Sequence, residues 1–266
     1  MNALIIGCGW VGTIFAKELH RLNYEVHGTT TSAEKAYRMA SVGMISYVLD
    51  FSQEHPPLDH ILTSINFDLI LVSVPAKKIE TYTSCSAKFE RLSTFLQTLK
   101  SNCVIYLSSV GIYPALNKII HEYTVPADQL DTKLYHAEFI LSSKLEKLNI
   151  LRLGGIFGAD RIPGKHFSGK VCKVGNQPAN YIHVDDICNI LLTLRKQEIQ
   201  REILNAVSPS HPLKAAIISA MVAKYGFSPP IAFEDTEAEE QKKIVSSEKL
   251  IKRLNYTFLY KSPTDY

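Results

Sequence analysis

A glycine-rich motif near the N-terminus is the feature that most constrains how this chain can fold. Residues 7–12 read Gly-Cys-Gly-Trp-Val-Gly, directly after an apolar run at residues 3–6. In a strand–loop–helix unit, the first glycine permits a tight turn, the second lets a phosphate approach the backbone, and the third lets helix and strand pack closely. The motif therefore predicts a dinucleotide site, against the alternative of three glycines in an ordinary tight turn.

Short apolar runs alternate with helical patterns over the first 153 residues. The runs predict strands at 3–6, 24–29, 44–49, 69–74, 104–107 and 150–153. Between them, helical spacing predicts a helix after the glycine motif and others at about 32–40, 79–99 and 132–148. This alternation predicts an α/β fold, a doubly wound parallel sheet of the Rossmann type. Residues 1–153 are the predicted nucleotide-binding domain.

The pattern changes after residue 153. Residues 154–175 are rich in glycine and carry three cations, Arg161, Lys165 and Lys170. Helices are predicted at 184–194, 213–225 and 246–254, a strand at 203–207, and an acidic run spans 234–240. We expect residues 154–266 to hold the remaining Rossmann elements and a small C-terminal lobe that binds substrate.

Composition excludes several classes of protein and of partner. The chain is 46% hydrophobic and 21% charged, which excludes a disordered chain, and its net charge of +3 predicts no nucleic-acid partner. No apolar run approaches the ~20 residues that span a bilayer, and no basic segment precedes the apolar start. We therefore expect a cytoplasmic protein without a membrane partner. The five cysteines form no C-x-x-C pair, and no metal site is predicted.

The end of the second predicted strand bears on the choice between NAD and NADP. An NAD-binding strand usually ends in an acidic residue that holds the ribose hydroxyls, whereas Thr29, Thr30, Thr31 and Ser32 stand here. Without a carboxylate, a 2′-phosphate meets no repulsion and could accept hydrogen bonds from these hydroxyls. NADP is favoured over NAD. Lys35 or Arg38 could add positive charge, although each also fits a solvated helix face.

Four further segments carry a family resemblance. They read Leu49-Asp50-Phe51, Ser108-Ser109-Val110-Gly111-Ile112-Tyr113, Gly154-Gly155-Ile156-Phe157-Gly158 and Tyr181-Ile182-His183-Val184-Asp185-Asp186. Together with the glycine motif, they resemble the extended short-chain dehydrogenases/reductases of the NAD(P)-dependent epimerase/dehydratase type, in a compact branch similar to nucleoside-diphosphate-sugar epimerases. The resemblance spans nearly the whole chain. It implies hydride transfer between a nicotinamide cofactor and a nucleotide-sugar or similar polar carbonyl or hydroxyl substrate.

The resemblance also implies roles for single residues. Asp50 matches an acid that holds the adenine amino group, and Ser109 matches a serine that orients the substrate oxygen; a strand-end cap and a turn residue are the structural alternatives. Tyr135, 26 residues after Ser109, stands where a proton-transferring tyrosine is expected. The predicted cofactor contacts are Gly7, Gly9, Trp10, Val11, Gly12, Thr30, Thr31, Ser32, Asp50 and Val74.

One departure from the family pattern leaves the activity open. The family pairs its tyrosine with a lysine four residues on, which lowers the tyrosine pKa and holds the nicotinamide ribose, but Phe139 stands there. The compact branch also lacks this pair and keeps an acid at the position of Glu138, either a surface residue or a carboxylate facing the pocket. A non-catalytic NADP(H) sensor is therefore the alternative to an epimerase, dehydratase or reductase. The resemblance further implies a homodimer through helices 79–99 and 132–148.

Overall fold

The computed structural model of the chain describes residues 1–54, 60–234 and 242–266. Within these ranges, no helix has the length and apolar character that crossing a bilayer requires. The acidic run noted in the sequence lies outside the described residues from position 235 onward.

A seven-stranded parallel sheet organises the fold. Its strands in chain order are β1 (Asn2–Ile6), β2 (Glu25–Thr30), β3 (Ile45–Val48), β4 (Leu69–Val72), β5 (Val104–Ser109), β6 (Leu148–Leu153) and β7 (Ile203–Ala206). Their order across the sheet is β3-β2-β1-β4-β5-β6-β7. Ala3 of β1 stands opposite Val26 of β2 and Leu69 of β4. The order reverses between β1 and β4, so the predicted doubly wound sheet is confirmed.

Eight helices accompany the sheet in the described residues. They are α1 (Trp10–Arg21), α2 (Ala33–Ala40), α3 (His60–Ser64), α4 (Tyr82–Gln97), α5 (Thr132–Lys144), α6 (Val184–Lys196), α7 (Lys214–Tyr225) and α8 (Glu248–Leu254). The helix predicted at 132–148 ends four residues early. Leu145 already has extended backbone angles (φ −120, ψ 109), and β6 starts at Leu148.

The described chain divides into two compact units, each discontinuous in sequence. Unit 1 comprises Met1–Ile112, Leu130–Leu151 and Leu191–Ile203, and unit 2 comprises Tyr113–Gln129, Arg152–Ile190 and Leu204–Tyr266. The domain boundary expected at residue 153, with a substrate lobe after it, remains a prediction.

Both faces of the sheet in unit 1 are covered. Leu4, Ile70 and Val72 lie in one buried cluster with Phe89 of α4 and Ile140 of α5. The strands are therefore continuous apolar runs rather than alternating ones, as a sheet buried on both sides requires.

The opposite face of β1 packs against α1. A methyl group built on Gly12 of α1 would stand 2.9 Å from the side chain of Ile5 in β1, and Phe15 on the same helix is fully buried. Gly12 thus allows the close helix–strand approach that the third glycine of the motif was predicted to provide.

Among the described residues of unit 2 there are three short parallel strand pairs. They join Gly155–Phe157 to Tyr181–His183, Val171–Cys172 to Ala232–Phe233, and Ile119–Ile120 to Ile244–Val245. A fourth such pair, Asn66–Phe67 with Lys100–Ser101, belongs to unit 1. The three pairs in unit 2 connect loops of that unit to one another.

A buried polar network lies at the centre of unit 2. Arg152 donates hydrogen bonds to the Tyr113 hydroxyl at 2.8 Å and to the Glu122 carbonyl at 3.0 Å. The Tyr113 hydroxyl donates to Asn205 at 2.7 Å, and the Asn205 backbone N–H donates to the Glu122 carboxylate at 2.7 Å. All four side chains are buried, so the network satisfies polar groups that would otherwise be costly to remove from water.

Candidate functional site

A pocket of about 390 Å³ lies in unit 1 where β1 to β4 end. The residues that line it follow four neighbouring strands, with one addition from α4. They are Gly7, Cys8 and Gly9 after β1; Thr29, Thr30, Thr31 and Lys35 at and after β2; Leu49, Asp50, Phe51 and Ser52 after β3; Ser73, Val74, Pro75, Lys77 and Glu80 after β4; and Lys88. The carboxyl edge of a doubly wound sheet at its reversal point is where such folds bind ligands.

The glycine loop has the backbone that its sequence predicts. Gly7 adopts φ +78, and a methyl group there would stand 3.1 Å from both the Ser73 carbonyl oxygen and the Val74 side chain. Gly9 precedes the first turn of α1, and a methyl group there would meet nothing nearer than the Gly7 carbonyl oxygen at 3.8 Å. The wall at Gly9 is therefore open backbone beside a helix N-terminus, which suits an anion such as a diphosphate.

Thr29 fixes this loop to β2. The backbone N–H of Gly7 donates to the Thr29 hydroxyl oxygen at 3.0 Å, and the N–H of Cys8 donates to the Thr29 carbonyl at 2.8 Å. The sequence analysis interpreted Thr29, with the hydroxyls that follow it, as a ligand contact and missed this role. A buried threonine one strand away from a glycine loop is the signal that could have found it.

The residues after β2 divide between the pocket and the helix. Thr30, Thr31 and Lys35 line the pocket. The Ser32 hydroxyl instead accepts the N–H of Lys35 at 3.4 Å as the N-cap of α2. Arg38 lies 3.7 Å from Glu34 on an exposed helix face. Of the two candidate cations, the structure places only Lys35 at the pocket.

Cys8 and Asp50 also line the pocket, after β1 and after β3. Burial raises the pKa of the Cys8 thiol, while the nearby Lys35 acts to lower it. The thiol is thus neutral near pH 7 and fits as a small side chain. Asp50 accepts hydrogen bonds from the Ser52 N–H at 2.9 Å and hydroxyl at 2.7 Å. The carboxylate therefore caps the turn after β3 and also faces the pocket.

A buried ion pair forms the wall after β4. The Lys88 ammonium donates to the Pro75 carbonyl at 2.8 Å and to the two Glu80 carboxylate oxygens at 2.8 and 2.6 Å. Burial acts to raise the pKa of Glu80, but the Lys88 hydrogen bonds outweigh it and hold that pKa below its ordinary value. Neither residue was singled out from the sequence, because the pair is eight positions apart and forms only when the loop folds back on α4.

A second lysine holds the same loop from α5. The Lys133 ammonium donates to the backbone carbonyls of Lys77, Lys78 and Glu80 at 3.2, 2.7 and 2.9 Å. Lys133 stands two residues before Tyr135, so the start of α5 and the pocket wall after β4 are connected by one side chain.

The two serines at the end of β5 face different surroundings. The buried Ser108 donates a hydrogen bond of 2.5 Å to the carboxyl group of Glu138, which is only 3% exposed. The Ser109 hydroxyl accepts the N–H of Gly111 at 3.0 Å and is half-buried. Glu138 is therefore a buried group bonded to β5, neither a surface residue nor one of those lining the 390 Å³ pocket.

Tyr135 stands on α5 without the neighbour that the family pattern supplies. Its ring is half-buried, and its centroid lies 6.5 Å from that of Phe139. The Phe139 side chain is 55% exposed. The position that would carry the lysine thus presents an apolar ring to solvent.

Unit 2 has a larger pocket of its own, of about 520 Å³. Its wall combines cations with apolar and aromatic side chains, among them Arg161, Lys165, His166, Ile156 and Tyr181. Burial lowers the pKa of His166. Two of the three cations noted in the glycine-rich segment therefore line this pocket, while Lys170 is not among its lining residues.

Comparison with known proteins places the fold. No family model matches the chain. The chain is 24% identical over 267 residues to Protein YeeZ of Escherichia coli (strain K12), covering 97% of this chain and 96% of that protein. Among solved structures, the ADP-L-glycero-D-manno-heptose-6-epimerase of Helicobacter pylori superposes with a TM-score of 0.77 at 17% identity, covering 100% of this chain and 94% of that one. The UDP-glucuronic acid 4-epimerase of Bacillus cereus, solved with UDP-glucuronic acid and NAD, gives 0.78 at 16% identity, covering 100% and 96%.

This chain has the fold of the nucleotide-sugar epimerases. The resemblance to the extended short-chain dehydrogenases/reductases is thereby confirmed for the fold. Among the residues that the structure describes, no group of three or more His, Cys, Asp or Glu side chains is placed to hold a metal ion.

Of the ten predicted cofactor contacts, six line the 390 Å³ pocket in this fold. They are Gly7, Gly9, Thr30, Thr31, Asp50 and Val74. The other four are not among its lining residues. Trp10, Val11 and Gly12 form the first turn of α1, and Ser32 caps α2.

Proposed function

We propose that this chain binds a nicotinamide dinucleotide in the pocket of unit 1 and acts as an epimerase, dehydratase or reductase on a nucleotide-sugar or similar polar substrate. The observation that carries the proposal is the open backbone at Gly9, beside the first turn of α1 and at the reversal point of the sheet. The similarity to the UDP-glucuronic acid 4-epimerase of Bacillus cereus, solved with NAD, supports the cofactor class. Such a cofactor, when bound, accepts and returns a hydride.

The pocket residues suit the parts of a dinucleotide. Backbone groups of Gly7 and Gly9 would take the diphosphate, and Val74 contributes an apolar wall. Asp50 faces the pocket after β3, where its carboxylate could accept from the adenine amino group. Trp10, in the first turn of α1, would contribute its backbone.

The choice of NADP over NAD is part of the proposal. Thr30, Thr31 and Lys35 line the pocket after β2 and could meet a 2′-phosphate with two hydroxyls and one cation. The carboxylates that line the pocket, Asp50 and Glu80, follow β3 and β4 instead. Either of them near a 2′-phosphate would repel it.

The substrate proposal rests on the pocket of unit 2, on Ser109 at the end of β5 and on Tyr135 of α5. Arg161 and Lys165 give the 520 Å³ pocket a positive character that suits a diphosphate. Ser109 would orient the reacting oxygen, and Tyr135 or a water molecule would exchange its proton. The homodimer implied by the resemblance would use α4 and α5; sedimentation equilibrium would test it through the mass.

A non-catalytic NADP(H) sensor is the second candidate, favoured by one observation. Phe139 stands four residues after Tyr135, where the family pattern has a lysine. The nearby Lys133 does not take its place, because its ammonium donates to three backbone carbonyls of the loop after β4. A sensor should bind NADPH and NADP⁺ with very different affinities and show no turnover with any nucleotide-sugar. An epimerase that recycles its cofactor should retain it and show no net consumption.

Calorimetric titration tests the central claim. Protein freed of co-purified nucleotide is titrated with NADPH, NADP⁺, NADH and NAD⁺, and we expect the phosphorylated pair to bind more tightly. Gly9→Asp should abolish binding because it places a carboxylate where the diphosphate would lie. Gly9→Ala is the matched control for folding, since its methyl group meets nothing nearer than 3.8 Å. Wild-type protein that binds none of the four nucleotides would refute the proposal.

A further inference from the structure

The Lys88–Glu80 pair in the pocket wall has one member with bonding capacity to spare. An ammonium group has three N–H donors, and Lys88 directs hydrogen bonds to the Pro75 carbonyl and to both carboxylate oxygens of Glu80. Although Lys88 lines the pocket, it is buried and its three donors are directed at these oxygens, so it has no further donor for a ligand. Any direct contact from this pair to a ligand must come from Glu80.

Glu80 can accept a further hydrogen bond. A carboxylate offers about four lone-pair sites, and Glu80 uses them for Lys88 and for the Lys77 N–H at 3.1 Å. Its side chain is 19% exposed and lines the pocket. With its pKa held below the ordinary value, Glu80 is an acceptor only near pH 7. The complementary ligand group is a neutral donor, such as a sugar hydroxyl, rather than a phosphate.

The loop that carries Glu80 is fixed in place before any ligand arrives. Lys133 bonds the backbone carbonyls of Lys77, Lys78 and Glu80, while Lys88 bonds that of Pro75. A carboxylate held in this way loses little conformational entropy on binding, which increases its contribution to affinity.

The sheet order indicates which part of a dinucleotide Glu80 would meet. The glycine loop follows β1, and the residues suited to the adenosine half, Thr30 and Asp50, follow β2 and β3 on one side of it. Glu80 follows β4, on the other side of β1. A dinucleotide whose diphosphate lies at the glycine loop therefore extends its second ribose toward the β4 side.

We infer that Glu80, held by Lys88, accepts a hydrogen bond from a hydroxyl of the nicotinamide-side ribose. The inference rests on the proposed function, since it concerns the same pocket. In the family pattern, a lysine four residues after the tyrosine holds this ribose, and Phe139 stands at that position here. In this chain, Glu80 would make the ribose contact instead. Lys88 is a positioning residue, because it acts through Glu80.

Glu80→Gln tests the inference with two kinds of ligand, dinucleotides and a mononucleotide. The variant keeps the shape of the side chain and removes its charge. Calorimetry is run with NADPH and NADH, which carry the second ribose, and with ADP, which lacks it. We expect the Kd for the better dinucleotide to rise about 10- to 100-fold, as for loss of a hydrogen bond to a charged group, and the Kd for ADP to stay unchanged. Glu90→Gln is the matched control, since Glu90 lies on α4 outside the pocket lining and pairs with Lys144.

A ligand lacking one hydroxyl of the nicotinamide-side ribose closes the cycle. Wild-type protein should bind this deoxy dinucleotide more weakly than the parent, and Glu80→Gln should bind the two nearly alike. If Glu80→Gln is unstable by thermal melt, Glu80→Gln with Lys88→Met removes the unpaired buried ammonium and serves instead.

Three results with the variant overturn the inference. They are an unchanged dinucleotide Kd in Glu80→Gln, an equal loss for dinucleotide and ADP, and a deoxy penalty as large in the variant as in wild type. Wild-type protein that binds ADP but no dinucleotide also overturns it, together with the proposed function. Tight wild-type binding with an unaffected Glu80→Gln refutes the inference alone.

Discussion

Ser108 and Glu138 form a buried hydrogen bond of 2.5 Å that joins the end of β5 to the middle of α5. Ser109, the next residue on β5, and Tyr135, one turn earlier on α5, are the two proposed reactive groups. The hydrogen bond therefore holds β5 and α5, which carry Ser109 and Tyr135, against each other. The proposed chemistry thus depends on a buried contact between two residues that are not themselves proposed to react.

Glu138→Ala should destabilise the protein. The substitution leaves the Ser108 hydroxyl in a buried site without its acceptor, and such an unsatisfied group costs about 1–3 kcal/mol. Urea denaturation measures the loss. Ser142→Ala, on the exposed side of the same helix, is the control and should stay near wild type. Equal stabilities for the two variants would mean that the bond contributes nothing.

Gly7→Ala should destabilise the protein more than Gly9→Ala, because the two glycines differ in backbone conformation and in the space around them. Gly7 has φ +78 and close neighbours, so alanine there should cost roughly 1–2 kcal/mol in unfolding free energy and disturb the loop. Gly9 has a negative φ of −87 and open surroundings, so alanine there should leave stability near wild type. Thermal melts of the two variants provide the comparison. A Gly9→Ala variant less stable than Gly7→Ala would contradict the loop geometry described above.

Lys35→Ala should change cofactor preference, and Arg38→Ala should not. Lys35 lines the pocket, whereas Arg38 pairs with Glu34 on an exposed face. We expect Lys35→Ala to weaken NADPH binding about tenfold while NADH binding stays the same. Calorimetry of both variants with both ligands decides. If NADH affinity falls as much as NADPH affinity, Lys35 does not read the 2′-phosphate.

Asp186→Asn should loosen the segment after α8. The buried Asp186 carboxylate accepts the Tyr256 hydroxyl at 2.8 Å and the backbone N–H groups of Leu259 and Tyr260 at 2.8 and 3.1 Å. An amide cannot replace all of these acceptor contacts, so we expect a loss of about 2 kcal/mol and earlier cleavage near residue 259 in limited proteolysis. Asp185→Asn, whose side chain is 53% exposed, is the control.

The Asp68–Arg195 ion pair should contribute a measurable pH dependence. Burial acts to raise the pKa of Asp68, but the Arg195 hydrogen bond at 2.9 Å outweighs it and holds that pKa below its ordinary value. A depressed folded-state pKa adds stability that is present above the unfolded value near 4 and is lost as pH falls through the folded value. Asp68→Asn should therefore flatten the decline in unfolding free energy below pH 4. An unchanged acid slope would show that the pair does not control it.

The N-terminal part of the sheet could be predicted from the sequence because its signals are local. The apolar run at residues 3–6, the glycine motif and the helical spacing after it all lie within about 20 residues, and together they predict one strand–loop–helix unit. The parallel sheet predicted from such units is confirmed. The end of α5 was harder, since its helical pattern continues past Lys144 and only the start of β6 at Leu148 stops it.

The polar contacts of the site could not be predicted because their partners are distant in sequence. Thr29 meets Gly7 across 22 residues, Ser108 meets Glu138 across 30, and Lys133 meets Lys78 across 55. Residue type showed that Glu138 was a carboxylate, but only tertiary packing could show that it points at β5. Such pairs become visible once the sheet order is known.

The Arg152 network has a consequence for synthesis on the ribosome. Lys88 is the last residue in the sequence that lines the 390 Å³ pocket, so all of the lining residues are translated within the first third of the chain. Arg152, by contrast, joins Tyr113 to a network that includes Asn205, and Lys243 donates to the Tyr113 carbonyl across 130 residues. The centre of unit 2 cannot close until nearly the whole polypeptide has emerged. During elongation, the Arg152 side chain must therefore stay hydrated, while the residues that line the 390 Å³ pocket are already available.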